Sequence, residues 1–153
     1  MHQRCNAFSL IELLATVGLI AILTALVTPA FNGMIQRSKA DTDMNNLMRA
    51  LNFAHLEALD RGQGLRVMPS VAGEGWAGEL KVSTLADGTL LRVVPPMTRG
   101  AQVVVPGVTA IVFNSLGGLA EPGNVVAMTY VQGSVTRTLG VCVNGRIVQG
   151  STC

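Results

Sequence analysis

Residues 8–30 read FSLIELLATVGLIAILTALVTPA: one acid near the start, Glu12, and then no charged side chain until Arg37. From Leu13 to Ala30 the run is apolar apart from Thr16, Gly18, Thr24, Thr28 and Pro29. As a helix it would rise roughly 27 Å, close to the thickness of a bilayer's hydrocarbon core. A buried core helix is the competing reading, but a helix apolar all round is wasteful in a chain of 153 residues. Hydropathy therefore predicts a membrane-inserted helix. A cleaved secretory signal fits less well, because its apolar core is shorter and ends in a small-x-small site. Thr28-Pro29-Ala30-Phe31 offers no such site.

Outward from this run, the pattern changes twice. Apolar residues recur at Met44, Leu47, Met48, Leu51, Ala54, His55, Ala58 and Leu59, a spacing of three and four that marks one stripe of an amphipathic helix. Gly62 and Gly64 then stop it. One helix is expected from about Phe8 to Arg61, lipid-compatible in its first half and one-sided in its second. Beyond it the period falls to two. Strands are expected at 65–68, 76–82, 90–94, 102–105, 109–113, 125–131 and 136–143, separated by Gly and Pro punctuation. Asp87-Gly88 and Asn144-Gly145 signal hairpins of type I′, which needs positive φ at both central residues. The fold class is thus α+β, a long amino-terminal transmembrane and amphipathic helix packed on an antiparallel, β-sandwich-like head.

Composition agrees. Charged residues are 13% and hydrophobic ones 49%, with 11 basic against 9 acidic side chains. That excludes a disordered chain, and the sequence pI of about 8.6 is too mild to announce a nucleic-acid binder. No nucleophile–base motif, phosphate loop or calcium loop appears, so no catalytic residue, metal or cofactor is assigned. Of the two histidines, His2 lies in the polar leader and His55 in the helix stripe, where a packed imidazole is the plainer reading.

Met1–Ala7 is a short polar leader with one basic residue, Arg4, joined directly to Phe8. Glu12 reads either as a solvated acid favoured by the helix dipole or as the partner of an ammonium on Phe8, four positions away on the same face. The segment resembles the class III signal of type IV prepilins and pseudopilins, Gly followed by Phe-Thr-Leu-Ile-Glu and an apolar helix. The resemblance implies that a prepilin peptidase cuts between Ala7 and Phe8 and methylates the new amine of Phe8. It makes Glu12 the acid that guides entry into the filament, and it places Pro29 where many pilins have a helix-kinking proline. Ala7 stands where Gly is usual, which predicts slower processing.

The second half is similar to the GspH/FimT group. The similar stretches are Phe53-Ala54-His55-Leu56-Glu57-Ala58, Trp76-Ala77-Gly78, Ile111-Val112-Phe113-Asn114-Ser115-Leu116-Gly117 and Val141-Cys142-Val143-Asn144-Gly145-Arg146-Ile147. The organisation expected is a leader at 1–7, a transmembrane or filament-core helix at 8–31, and a periplasmic head at 32–153. The implied protein is a minor pilin of the FimT/FimU kind in the bacterial inner membrane, single-pass, and in the pilus tip after assembly. Its implied partners are the peptidase, other minor pilins and the major pilin. Two further readings stay open: an H-type minor pseudopilin of type II secretion, or a DNA-binding pilin for transformation. DNA-binding members of the group carry a Gly-Arg-x-Arg motif. Here that stretch is Gly145-Arg146-Ile147-Val148, so Arg146 is present and Val148 replaces the second arginine. Arg146 and Arg137 are the candidate DNA contacts. With Cys5 in the leader, Cys142 and Cys153 remain as an even pair, which in an exported domain reads as a disulfide. The short loop it closes would stabilise by about 2–3 kcal/mol in the chain-entropy picture.

Overall fold

The computed structural model describes residues 9–150 and Cys153, with the side chains of residues 26–30 excepted. It divides into two compact units, 1–35 and 36–153. Helix α1 (Leu10–Arg61) runs through both as 52 helical residues. Ser9 caps it: its carbonyl accepts from the N–H groups of Glu12 and Leu13, each at 3.1 Å, and its Oγ accepts from Ile11 N–H at 3.3 Å. The other end closes as a Schellman pair, with Gly62 N–H on the Leu59 carbonyl and Gln63 N–H on the Ala58 carbonyl, both 3.3 Å. Arg61 in the last turn donates to Glu57 at 2.5 Å.

In the first unit the described apolar side chains face outward. Leu10 is 78% exposed and Ile11 73%, and Leu13, Leu14, Val17, Leu19, Ile20, Ile22 and Leu23 are exposed as well. Among the described residues no helix is long and apolar enough to cross a membrane; the apolar run ends in residues 26–30, whose side chains are not described. Pro29 is one of these, so the expected kink lies outside the described residues, as do Ala7 and Phe8.

The second unit is a helix with two antiparallel sheets. Its strands are β1 (Leu65–Pro69), β2 (Leu80–Thr84), β3 (Leu90–Val94), β4 (Gln102–Val104), β5 (Ile111–Phe113), β6 (Leu119–Glu121), β7 (Val126–Gln132), β8 (Val135–Val141) and β9 (Ile147–Gln149). The five-stranded sheet has the order β3-β2-β1-β5-β6 and the four-stranded sheet β4-β7-β8-β9. Alternation places Val126, Met128 and Tyr130 of β7 inward, and Leu65 and Val67 of β1 likewise. They meet Ala40, Met44, Leu47, Ala50, Leu51, Ala54 and Ala58 of α1 in one core. Four of those seven helix residues are alanines, so the helix backbone can lie close to the strands. The helical stripe read from sequence is the buried face, with Met48 and His55 half-buried and Leu59, at its end, exposed.

One acid enters this core. Asp43 is buried, and its Oδ2 accepts from Tyr130 Oη at 2.9 Å and from Thr98 N–H at 3.1 Å. This ties α1 to β7 and to the loop before β4. Burial, reinforced by the Asp43 hydrogen bond and charge, pushes the Tyr130 hydroxyl well above its ordinary value. Among the described residues every buried side-chain nitrogen and oxygen has a partner.

The structure differs from the strand expectations in three places. Residues Trp76–Glu79 form turns, with Trp76 buried and its Nε1–H donating to the Val108 carbonyl at 2.9 Å; β2 starts only at Leu80. The short strands β6 and β9 carry too few residues for a visible period. Both hairpin signals mark hairpins, but neither turn is type I′, because among the described residues none other than glycine has positive φ. Asp87 instead accepts from the side chains of Thr84 and Thr89 and from Thr89 N–H, stapling a longer loop between β2 and β3. These bonds, the one from Thr84 foremost, hold its carboxyl down at about 2 from the ordinary 3.8.

A carboxyl lowered on folding stabilises above its unfolded pKa, and that contribution is lost as the pH falls through the folded value. The denaturation midpoint of the wild type is therefore expected to drop between about pH 4 and pH 2 by more than that of Asp87→Asn. Equal acid sensitivity in urea titrations of the two proteins would contradict the staple.

Candidate functional site

The amino-terminal apolar segment starts where the helix starts. Ser9 as N-cap aims the first turn, and Glu12 stands in that turn with its side chain exposed. No ion pair to Glu12 forms among the described residues. Around it Leu10, Ile11, Leu13 and Leu14 are open. An apolar surface on every side of a helix is stable only against lipid or other apolar helices. A carboxylate set in such a surface calls for a cation when it is buried.

The head is built around a second feature. Two turns have the same construction. Asn114 N–H bonds the Gly118 carbonyl at 2.8 Å and Gly117 N–H returns to the Asn114 carbonyl at 2.9 Å. Likewise Cys142 N–H bonds the Arg146 carbonyl and Gly145 N–H the Cys142 carbonyl, both at 2.8 Å. Each is a tight hairpin turn completed by a glycine at positive φ, +77° at Gly117 and +82° at Gly145. The first turn joins β5 to β6 in the five-stranded sheet and the second joins β8 to β9 in the four-stranded sheet. They lean on each other, with Leu119 N–H donating to the Val143 carbonyl at 2.8 Å.

His55 of α1 completes the junction. Its Nδ1–H donates to the Gly117 carbonyl at 2.8 Å, which fixes the tautomer because a carbonyl only accepts. Its ring stands edge-on to Phe113 with centroids 5.8 Å apart. A Cβ at Gly117 would come within 2.9 Å of His55 Cε1 and of Leu59 Cγ, and one at Gly145 would overlap both the Gly117 carbonyl oxygen and the imidazole. The sequence reading of His55 as a packed histidine undersold it. The available signal was that His55, Gly117 and Gly145 sit in three separate stretches that share one family resemblance.

The remaining candidates are placed as follows. Cys142 and Cys153 form a disulfide with Cα atoms 5.6 Å apart. Arg146 follows Gly145 and is exposed. Arg137 sits near the other end of β8, and its Nε donates to Asp41 of α1 at 2.8 Å. Five steps along the extended chain separate Arg137 from Cys142, just past the end of β8, roughly 17 Å. The two arginines are therefore not gathered at one spot, and Arg137 is already neutralised. Missed altogether was Asp43, a buried acid directly preceding the apolar Met44. Among the described residues no cluster of three or more His, Cys, Asp or Glu side chains forms.

Exchanging Gly145 for Ala forces a Cβ onto the Gly117 carbonyl and His55. The expected loss is about 2–5 kcal/mol, from the unfavourable φ and the overlap together. His55→Ala should cost about 1–3 kcal/mol by stranding the Gly117 carbonyl, and His55→Asn, which keeps an N–H donor, should recover part of that. Chemical denaturation of the three variants checks this, and wild-type stability in Gly145→Ala would contradict the close approach.

Comparison with known proteins finds matches over both segments. The family described as type II transport protein GspH matches residues 43–146. The prokaryotic N-terminal methylation motif matches residues 2–28. No curated protein matches the chain. Among solved structures, the type IV minor pilin FimU of Pseudomonas aeruginosa is similar in two crystal forms. One aligns with a TM-score of 0.67 at 20% identity over 75% of this chain and 90% of that one. The other gives 0.60 at 21% over 74% and 91%. At such identity the likeness establishes the fold, a minor-pilin fold. The family match spans the core of the head from Asp43 to Arg146, the junction included, and on that ground the chain belongs to the GspH family of pilin-like proteins and carries the amino-terminal methylation motif.

Proposed function

We propose that the chain is a minor pilin-like structural subunit which primes or caps a type IV pilus after a prepilin peptidase has cut between Ala7 and Phe8. The observation that carries this reading is the methylation motif joined to a head of the minor-pilin fold. Before assembly the apolar half of α1 holds the protein in the inner membrane, single-pass, with the head from about residue 32 in the periplasm. In the filament the same surface packs among the helices of other minor pilins and the major pilin. Pro29 lacks the N–H that a regular helix would use there and eases the bend such packing requires.

Glu12 has the central part. Cleavage leaves an ammonium on Phe8, N-methylated and still cationic, on the face that carries Glu12. Moving an unpaired charge into an apolar bundle costs a few kcal/mol, and pairing the carboxylate with an amine of its own or a neighbouring chain removes most of that cost. The protein is a substrate of the peptidase and itself performs no reaction.

A second reading, an H-type minor pseudopilin of type II secretion, is favoured by the family description. A DNA-binding role rests on Arg146 alone, since Arg137 is paired with Asp41. Few phosphate contacts give weak, salt-sensitive binding. Any DNA contact is accessory in this account.

Glu12→Ala is expected to leave the protein in the membrane while its recovery in sheared filaments falls at least about tenfold, the effect of losing about 1.4 kcal/mol of pairing. Equal recovery of mutant and wild type, measured by quantitative mass spectrometry of the filaments, would contradict the assembly role. Filaments lacking the chain altogether, with secretion lost when it is deleted, would select the pseudopilin reading.

A further inference from the structure

Asparagine followed by glycine is the pair most prone to lose its side-chain amide, because glycine has no Cβ to shield its nitrogen. Two such pairs occur in the chain, Asn32-Gly33 and Asn144-Gly145. The first lies inside α1, where the helix holds each backbone N–H in a bond to the carbonyl four residues before it. The second is the β8–β9 turn of the junction. Val143, Asn144 and Arg146 are all exposed there, so water and base reach the asparagine side chain.

The reacting atoms are nevertheless kept from meeting. Gly145 is buried, and its nitrogen, the nucleophile of the reaction, donates its N–H to the Cys142 carbonyl at 2.8 Å. Asn144 Oδ1 accepts from Arg146 N–H at 3.1 Å, which carries the side chain past Gly145. The Gly117 carbonyl and the His55 imidazole lie so close to Gly145 that a Cβ there would overlap both. To react, the Gly145 nitrogen must leave Cys142 and turn toward Asn144 Cγ. That movement needs the space which His55 and the Gly117 turn occupy. The facing turn carries no equivalent pair, since Asn114 is followed by serine and its Oδ1 accepts from both Leu116 and Gly118 N–H, each at 2.9 Å.

We propose that Asn144 is a modification site gated by the junction: inert while His55 holds the turns together, and deamidated without any enzyme once they part. In the open turn base removes the Gly145 amide proton, and the nitrogen attacks Asn144 Cγ. A new C–N bond forms, the bond to the side-chain nitrogen breaks, and that nitrogen takes up a proton and leaves as ammonia. Water then adds to the cyclic imide. Cleavage at the old side-chain carbonyl gives aspartate, and cleavage at the old backbone carbonyl gives isoaspartate. Aspartate can still accept from Arg146 N–H. Isoaspartate lengthens the backbone by one carbon inside a turn closed by two bonds, from Cys142 N–H to the Arg146 carbonyl and from Gly145 N–H to the Cys142 carbonyl. Both cannot be remade over the longer path, so a junction that has opened for long enough is marked and does not close again.

The test holds the full chain in detergent micelles at mildly alkaline pH. Deamidation is followed by mass spectrometry of the fragment that carries Asn144, and a synthetic peptide of residues 143–148 supplies the ungated rate. The protein is expected to react at least about a hundredfold more slowly than the peptide, because reaction proceeds through the rare open form. Hydrogen exchange at the Gly145 amide needs the same opening, so its protection factor should match that retardation within about threefold. His55→Ala should speed both processes about tenfold, the effect of one lost buried hydrogen bond, and His55→Asn should restore part of the difference. Trp76→Phe removes the bond to the Val108 carbonyl beyond the Pro69 end of β1, whereas Phe113 and the junction lie at the Leu65 end. It should leave both rates unchanged. Deamidation of the protein at the peptide's rate would overturn the proposal. So would slow deamidation beside an unprotected Gly145 amide, or equal acceleration by Trp76→Phe and His55→Ala, which would assign the opening to global unfolding. The comparison of protection with retardation uses the wild type alone, so it decides the matter even where His55→Ala does not fold.

Discussion

A single imidazole joins three parts of the head. His55 projects from α1 into the gap between two glycine turns, one from each sheet, and its Nδ1–H holds the Gly117 carbonyl at 2.8 Å. The sheets share no strand, so their relative position depends on the core between them and on the few bonds that cross. The junction supplies one such bond at one end, from Leu119 to Val143, and ties it to the helix through the bond from His55 to Gly117. Asp43 supplies the other fixed point, holding β7 and the loop before β4 to the same helix. Two polar clasps about twelve residues apart, on the two edges of the buried helix face with alanines and leucines between them, define where each sheet sits. A buried hydrogen bond contributes only about 1 kcal/mol net, but leaving its partner unsatisfied costs more, which makes the clasps selective for one arrangement.

The two halves of α1 solve different problems. From Gln36 onward the helix is a core element, with small side chains where strands approach and polar ones facing water. Before Ile35 it presents leucine, isoleucine and valine outward, a surface that water does not favour and that lipid or neighbouring helices do. A head folded through its own core would, on the proposed reading, leave the first half at liberty to exchange one apolar environment for another without unfolding anything.

Much of this was legible in the sequence because it depends on period. The break from all-round apolarity to a one-sided stripe, and then to alternation, located the helix, its two halves and most of the strands. The Cys142–Cys153 pairing followed from count and compartment. What escaped was set by contacts distant in sequence. Trp76 looked like a strand residue because it is large and apolar, but its Nε1–H needed the Val108 carbonyl and the chain turned to provide it. Asn144 and Asp87 suggested mirror-image turns, yet a three-residue loop with one glycine at positive φ served in one case and a carboxylate staple in the other. His55, Gly117 and Gly145 lie 62 and 28 residues apart along the chain, and no local pattern announces that they meet. Arg137 and Arg146 looked like neighbours on one hairpin; the strand between them and the pull of Asp41 keep them apart.

The proposed function turns on one event, the creation of a new amino terminus beside Glu12, and the amino-terminal methylation motif supports that reading. The measurement closest to the central claim is therefore the intact mass and amino-terminal peptide of the protein isolated from cells that carry a prepilin peptidase. The account predicts a chain that begins at N-methylated Phe8 with the Cys142–Cys153 bond in place. A chain that still begins at Met1, or one cut beyond Pro29, would contradict it.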